Sequence, residues 1–130
     1  MERTLLVIDD EQDLRELITD MLVDEGFKCL SAGSISEASD VIATHLEQCG
    51  KIDMIISDLN MPGGSGIDLL KDLRKKGVHT PFLFLSGDLI DAELRPYLLM
   101  GVLGYQLKPF RATDFIHRLN KLFADQLVEA

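Results

Sequence analysis

The sequence predicts an α/β protein, a (βα)5 doubly wound domain built on a five-stranded parallel sheet. Short apolar runs alternate with segments of helical period along the whole chain, and no two runs are joined by a hairpin-length turn. Such alternation gives parallel strands with right-handed crossovers, so helices cover both faces of the sheet. An antiparallel α+β arrangement is the alternative, but it needs hairpin turns between the strands. The predicted strands are Leu5–Ile8, Lys28–Ala32, Ile52–Ser57, Phe82–Leu85 and Gly104–Leu107.

The first, third and fourth of these strands are nearly unbroken apolar runs, which is typical of strands buried on both faces. The helix after the first strand repeats apolar residues at the spacing of one helix face and stops before Gly26. The second helix opens on a capping-box pattern, Ser34 to Glu37. The apolar face of the first helix consists of Leu14, Leu17, Ile18, Met21 and Leu22.

The remaining helices are predicted by their ends and by their apolar spacing. Gly66–Lys76 finishes in basic residues followed by a glycine, which suits a helix C-terminus. Asp91–Met100 is also predicted to be helical, but Pro96 must begin or kink it, so we expect this fourth helix to be shortened. The last helix is predicted over Arg111–Val128.

Composition limits the classes of function. Hydrophobic residues make up 46% of 130 residues, enough for the core of one domain spanning 1–130. The formal charge of −9 disfavours direct nucleic-acid binding, and the short apolar runs exclude a membrane span. The N-terminus does not resemble a signal peptide. Cys29 and Cys49 lack metal-ligand spacing, so we expect reduced thiols in a cytoplasmic protein.

Polar residues follow four of the five predicted strands. Asp9-Asp10-Glu11 follows the first strand, Asp58 the third, Ser86-Gly87-Asp88 the fourth and Lys108-Pro109 the fifth. The carboxyl ends of parallel strands share one edge of the sheet, where open α/β sheets bind ligands. We therefore expect these acids, a serine hydroxyl and a lysine to converge in one crevice.

Electrostatics restrict the chemistry of this crevice. Two carboxylates about 4 Å apart repel by roughly 4 kcal/mol at an effective dielectric near 20, so Asp9, Asp10 and Asp58 must hold a proton or a cation. An all-oxygen cluster favours Mg²⁺, Mn²⁺ or Ca²⁺, and Mg²⁺ is usually held by a few carboxylates with room for phosphate oxygens. Lys108 and Ser86 supply donors for phosphate. These are the parts for phosphoryl transfer to an aspartate, and Asp58 is the expected acceptor because it closes the central strand.

Five motifs in register resemble the receiver domain of bacterial two-component response regulators, and the likeness covers essentially the whole chain. It implies a flavodoxin-like fold with strand order 2-1-3-4-5 and a stand-alone receiver of the chemotaxis-regulator type. A receiver excised from a longer protein remains the alternative. The motifs are Asp9-Asp10-Glu11, Asp58 with Asn60-Met61-Pro62, Ser86-Gly87, Gly104-Tyr105 and Lys108-Pro109-Phe110.

The resemblance also implies a role for each matching residue. Asp58 would accept a phosphoryl group from a sensor histidine kinase or a histidine phosphotransfer protein. Asp10, Asp58 and the backbone carbonyl of Asn60 would ligate Mg²⁺, with Asp9 acting mostly through water. Lys108 would pair with the phosphoryl group or with Asp58, and its bond to the following proline would be cis.

The same resemblance implies a switch. Ser86 would move toward a phosphoryl oxygen while Tyr105 turns inward, so that one new charge biases a two-state element. Asn60 and Asp88 would border the phosphoryl group and set how fast it hydrolyses. The protein would then be no enzyme acting on a separate substrate, but a phosphoacceptor that promotes its own phosphorylation and dephosphorylation.

Four features depart from the family pattern. Gly64 should loosen the loop after Asp58, Pro96 should shorten the fourth helix, and Gln106 stands where an aliphatic residue is usual. The segment 97–103 is unusually apolar. Either it forms a deeper local core, or it exposes a patch for an unknown downstream protein or for a homodimer through helix 4, strand 5 and helix 5.

Three rival functions fit the residues less well. A Mg²⁺-dependent phosphatase or hydrolase would carry a second acid two residues after the nucleophile, where this chain has Asn60. A phosphate-independent pseudo-receiver would usually have lost the acid pair, the acceptor or the lysine. A flavin-binding protein of the same topology would have a hydroxyl- and glycine-rich first turn, which here is acidic.

Overall fold

A computed structural model describes residues 2–48 and 50–129, with side chains as far as residue 125. Cys49 therefore lies outside the described residues, whereas Cys29 is half-buried in an edge strand, where burial raises the pKa of its thiol to about 11. The elements are β1 (Thr4–Ile8), α1 (Gln12–Asp24), β2 (Lys28–Ala32), α2 (Ile35–Gln48), β3 (Met54–Asp58), α3 (Gly66–Lys75), β4 (Phe82–Ser86), α4 (Asp91–Leu94), β5 (Val102–Leu107) and α5 (Ala112–Glu129).

The five strands form one parallel sheet in the order β2-β1-β3-β4-β5. Leu5 of β1 pairs with Cys29 on one side and with Met54 on the other, which places β1 between β2 and β3. The fold class and the strand order expected from the sequence are confirmed. The antiparallel α+β alternative is wrong, because every neighbouring pair in this sheet is parallel.

Each strand presents alternate residues to two separate cores. On one face the sheet packs against α2, α3 and the α4 segment, and on the other against α1 and α5. The helices are amphipathic, and none in the described ranges has an apolar stretch long enough to cross a membrane. Fully buried strand residues are Leu6, Ile8, Ile55, Phe82 and Phe84 on the first face, and Leu5, Val7, Met54, Ile56, Leu83 and Leu85 on the second.

The fourth helix is shortened, as Pro96 predicts. Only Asp91–Leu94 is α-helical, and Arg95–Met100 continues as a 3₁₀ helix with the proline in its first turn. Proline has no N–H to donate, so the regular series of α-helical hydrogen bonds is interrupted at Pro96. Arg74 of α3 secures the end of this segment, since its guanidinium donates to the carbonyls of Met100, Val78 and Thr80 at 2.7–2.8 Å.

Four strands have boundaries that differ from the sequence prediction. β1 begins at Thr4 rather than Leu5, and β4 ends at Ser86 rather than Leu85. β3 begins at Met54 rather than Ile52 and includes Asp58 as its last residue. β5 begins at Val102 rather than Gly104, and a bulge places Leu103 as an extra residue opposite β4. An apolar run alone does not reveal such a bulge.

Candidate functional site

Three carboxylates meet at the carboxyl edge of the sheet. Asp9 and Asp10 follow β1, and Asp58 ends the neighbouring strand β3. One oxygen from each carboxylate lies within 4.8 Å of the others. The structure therefore brings together the three acids that the sequence places at this edge.

Asp9 is completely buried, and all four of its polar atoms have partners. Its N–H donates to the Ala32 carbonyl, and its carbonyl accepts a 2.7 Å hydrogen bond from Arg15. Its carboxylate oxygens accept from the Glu11 N–H at 2.9 Å and from the Lys108 ammonium at 3.2 Å. Asp9 thus orients its neighbours, which leaves the exposed Asp10 as the accessible acid of the pair.

Lys108 follows β5 and reaches two carboxylates. Its Nζ lies 3.2 Å from Asp9 Oδ2 and 3.6 Å from Asp58 Oδ2. Burial lowers the pKa of the ammonium, but the charges of Asp58 and Asp9 outweigh burial and the net pKa lies above its usual value. The Lys108–Pro109 bond is cis, as the resemblance implies.

Asp58 is a carboxylate with an unusually high pKa. Desolvation raises its pKa to about 6, Lys108 opposes that rise, and the charges of Asp9 and Asp10 add to it. One ammonium is too little to balance three acids, so the site has excess negative charge. Hard oxygen ligands with unbalanced charge fit a divalent cation of the Mg²⁺ type.

Ser57 and Gly66, to which the sequence analysis assigned no part in the acid site, hold the backbone of Asp58 and Leu59 in place. The hydroxyl of Ser57 donates to the Asp58 carbonyl at 2.8 Å, and the Gly66 N–H donates to the Leu59 carbonyl at 2.8 Å. A Cβ at Gly66 would lie 2.5 Å from Phe84 Cε1 and 2.9 Å from the Asp58 carbonyl oxygen. In the sequence, these two residues could have been recognised as a serine within a buried apolar strand and a glycine at the start of a helix.

Gly66→Ala is expected to destabilise the protein by about 1–3 kcal/mol, because the new methyl group must push β3 or the Phe84 ring aside. Urea denaturation measures the effect. Gly87→Ala is the matched control, since a Cβ there meets nothing within 4 Å. Equal stabilities of the two variants would contradict the packing described around Gly66.

The segment after Asp58 is a short hairpin. Asn60–Met61 pairs antiparallel with Gly64–Ser65 across a turn that has Pro62 and then Gly63, at φ +83°, in its central positions. Proline followed by a positive-φ glycine is the signature of a type II turn. Gly64 is paired with Met61, and Ile35 fills the adjacent space. That Gly64 loosens this loop stays a prediction. Asn60 is exposed at the start of the hairpin.

Ser86 ends β4 and is buried, but its hydroxyl is engaged by its own loop. It donates to the Asp88 carbonyl at 2.8 Å and accepts from the Asp88 N–H at 3.1 Å. Asp88 is itself exposed. Neither bond involves the acid cluster, so this hydroxyl must rotate before it can serve an oxygen bound at Asp58.

Tyr105 of β5 packs its ring against the first core, and its hydroxyl donates to Asp91 Oδ2 at 2.7 Å. This hydrogen bond is the chief cause of a raised pKa at the phenol. The next residue, Gln106, accepts a 3.0 Å hydrogen bond from Arg118 of α5. That contact accounts for a polar residue where the family usually has an aliphatic one.

The apolar segment before β5 divides between core and surface. Tyr97 and Met100 pack against the first core and Val102 is buried, whereas Leu98 is 52% exposed and Leu99 is fully exposed. Leu89, in the loop before α4, is exposed as well. The segment therefore adds to the local core and also exposes apolar side chains; that these side chains contact a partner stays a prediction.

The structure has three acids and a lysine at the carboxyl edge of a parallel sheet with strand order 2-1-3-4-5. A family model described as the response regulator receiver domain matches residues 5–120. The chain belongs to this family. Receiver domains are phosphoacceptors of two-component signalling, so the class of protein expected from the sequence is confirmed.

Individual relatives agree with this placement. Chemotaxis protein CheY-3 of Vibrio cholerae is 33% identical over 122 residues, covering 92% of this chain and 90% of the relative. Chemotaxis protein CheY of Pseudomonas aeruginosa is 32% identical, with 92% and 94% coverage. The non-phosphorylated HemR receiver domain from Leptospira biflexa superposes with a TM-score of 0.79 at 28% identity, covering 92% of this chain and 93% of that one.

Proposed function

We propose that this receiver accepts a phosphoryl group on Asp58 from a phosphohistidine donor in the presence of Mg²⁺. The donor is a sensor histidine kinase or a histidine phosphotransfer protein, and the site works in the cytoplasm. The observation that carries the proposal is the position of Asp58 at the end of a central strand, 3.6 Å from Lys108 and beside two further acids.

Asp58 is the acid best placed to act as nucleophile. Both carboxylate oxygens of Asp9 already accept hydrogen bonds inside the protein. Asp58 has a pKa of about 6, so near neutral pH it is mostly ionised, and its partial desolvation keeps it reactive.

The transfer is a displacement at phosphorus. A carboxylate oxygen of Asp58 attacks the phosphorus, the P–N bond to the donor imidazole breaks, and the imidazole nitrogen takes up a proton. The product is an acyl phosphate on Asp58. Mg²⁺, held by Asp10, Asp58 and the Asn60 carbonyl with Asp9 acting through water, would balance charge on the phosphoryl oxygens. Lys108 attracts the same oxygens.

The acyl phosphate is proposed to hydrolyse at the same site, so the domain promotes both its phosphorylation and its dephosphorylation without a separate substrate. Asn60, two residues after the acceptor, supplies an amide where a hydrolase of the aspartyl-phosphate type would have a second acid. Asn60 and Asp88 are both exposed beside the site and are proposed to control access of water.

The phosphoryl group is proposed to switch the face formed by α4, β5 and α5. Ser86 would exchange its bonds to Asp88 for one to a phosphoryl oxygen, and Tyr105 would turn inward behind it. The changed face then controls a downstream protein or passes phosphate along a relay.

Exposed Leu98 and Leu99 give this face an apolar surface, and we propose that a homodimer could form through it. Identical monomeric sedimentation with and without beryllofluoride would count against that dimer.

Intact mass spectrometry after incubation with acetyl phosphate or phosphoramidate tests the proposal, since phosphoramidate carries the same P–N bond as a phosphohistidine. We expect one phosphoryl group per chain with Mg²⁺ and none with EDTA. Asp58→Asn should take up none, whereas Asp40→Asn, at an exposed acid of α2, should behave as wild type. An adduct that forms equally well in EDTA contradicts the metal requirement. If no adduct forms and beryllofluoride does not bind, the pseudo-receiver alternative is correct.

A further inference from the structure

One side-chain hydrogen bond joins the two elements that border the proposed switch. The Tyr105 hydroxyl, on β5, donates to Oδ2 of Asp91, the first residue of α4, at 2.7 Å. Asp91 is exposed, so it gains little from packing. Its contact with Tyr105 is therefore a local interaction that a substitution can remove without opening a core.

The backbone of Tyr105 is fixed on both sides. Tyr105 pairs with Phe84 of β4 in the sheet, and the Tyr105 carbonyl accepts a hydrogen bond from Arg118 of α5. The strand therefore cannot shift easily at this point. A change of orientation at Tyr105 must be a rotation of the side chain, and that rotation breaks the bond to Asp91.

The loop that leads from Ser86 to Asp91 also restrains the Ser86 hydroxyl. The Ser86 hydroxyl is bonded to the N–H and carbonyl of Asp88, three residues before Asp91. The segment from Ser86 to Asp91 thus holds a hydroxyl at one end and a phenol at the other, each away from the acid cluster.

We propose that Asp91 is a positioning residue that holds Tyr105 outward and so biases the receiver toward its resting state. The inference rests on the proposed function, because the resting state that Asp91 stabilises is one of the two states of the proposed switch. A ligand that favours the inward state must first overcome the Asp91 contact, so loss of that contact strengthens binding of the ligand. The same contact offers a partner or a modification near α4 a means of changing the bias.

Tyrosine NMR reports the orientation directly, since the chain has two tyrosines and no tryptophan. With ring-labelled tyrosine, Asp91→Ala is expected to shift the Tyr105 signals in the free protein and to leave those of Tyr97 unchanged. Asp40→Ala removes an exposed acid of α2 and should leave the signals of both tyrosines unchanged. Asp91→Asn keeps an oxygen acceptor and should lie nearer to wild type.

Affinity gives the second measurement. In the presence of Mg²⁺, Asp91→Ala should bind beryllofluoride about two- to tenfold more tightly than wild type, the range expected for loss of one hydrogen bond. Tyr105→Phe removes the same bond from the other side, so Asp91→Ala should add nothing in that background. Asp40→Ala should leave the affinity within error of wild type.

Unchanged Tyr105 signals in Asp91→Ala, or unchanged beryllofluoride affinity, would overturn the inference. So would an Asp91→Ala effect of full size in the Tyr105→Phe background. If wild type binds no beryllofluoride at all, the proposed function fails. The spectra of the free proteins then still show whether Asp91 orients Tyr105.

Discussion

Lys108→Met is expected to lower the free energy of unfolding by about 2–4 kcal/mol in EDTA, measured by urea denaturation at neutral pH. The substitution keeps the apolar stem but removes the ammonium that lies 3.2 Å from Asp9 and 3.6 Å from Asp58. Asp9 is fully buried, so its carboxylate then keeps only the hydrogen bond from the Glu11 N–H. Saturating Mg²⁺ should restore part of the loss, because a cation can replace the missing charge.

A surface ion pair provides the matched control for this prediction. Lys76 directly follows α3, and its ammonium lies 2.9 Å from the carboxylate of Asp72 on that helix, with side-chain exposures of 62% and 47%. Lys76→Met should therefore cost less than about 1 kcal/mol. A Lys108→Met variant no less stable than Lys76→Met would mean that Lys108 does not balance the acid cluster.

Asp58→Asn is expected to have the opposite effect and to stabilise the protein by about 1–2 kcal/mol at pH 7 in EDTA, after allowance for solvent screening at a partly exposed group. Desolvation raises the Asp58 pKa from its ordinary value of 3.8 to about 6, against the opposing charge of Lys108. Folding therefore makes ionisation of Asp58 less favourable, and above pH 6 the wild type carries that cost. The amide has no charge and avoids it.

The pH dependence follows from the same pKa values. A carboxyl group whose pKa is raised on folding weakens the folded state as pH rises from about 4 through 6, and this loss is absent below pH 4. The stability gap between Asp58→Asn and wild type should therefore shrink as pH falls across this range. Thermal unfolding at pH 7.5 and pH 4.5 measures it, with Asp40→Asn as control. A gap that is constant with pH would contradict the raised pKa.

Much of the fold was predictable because it depends on patterns that act locally. Unbroken apolar runs identify β1, β3 and β4 as buried strands, and one proline identifies the shortened α4. The bulge at Leu103 was not predictable, because it depends on how β5 fits against β4. The pairing of Gly64 likewise depends on the partner strand and on Ile35, neither of which a local pattern reveals.

The site was predictable in its residues but not in their contacts. Parallel strands bring their carboxyl ends together, so Asp9, Asp10, Asp58 and Lys108 could be grouped from the sequence alone. The sequence did not reveal that Arg15 binds the Asp9 carbonyl. Arginines on amphipathic helices are usually solvated, and only the three-dimensional path of the turn after β1 distinguishes this one.

The central claim is that Asp58 is the acceptor, and chemical trapping of the acyl phosphate tests it most directly. Borohydride reduces an aspartyl phosphate to homoserine, which tandem mass spectrometry locates in the sequence. After incubation with acetyl phosphate and Mg²⁺, our account predicts homoserine at position 58 alone and none when EDTA replaces Mg²⁺. Conversion at Asp9 or Asp10 would contradict it, as would a phosphorylated chain with aspartate intact at position 58.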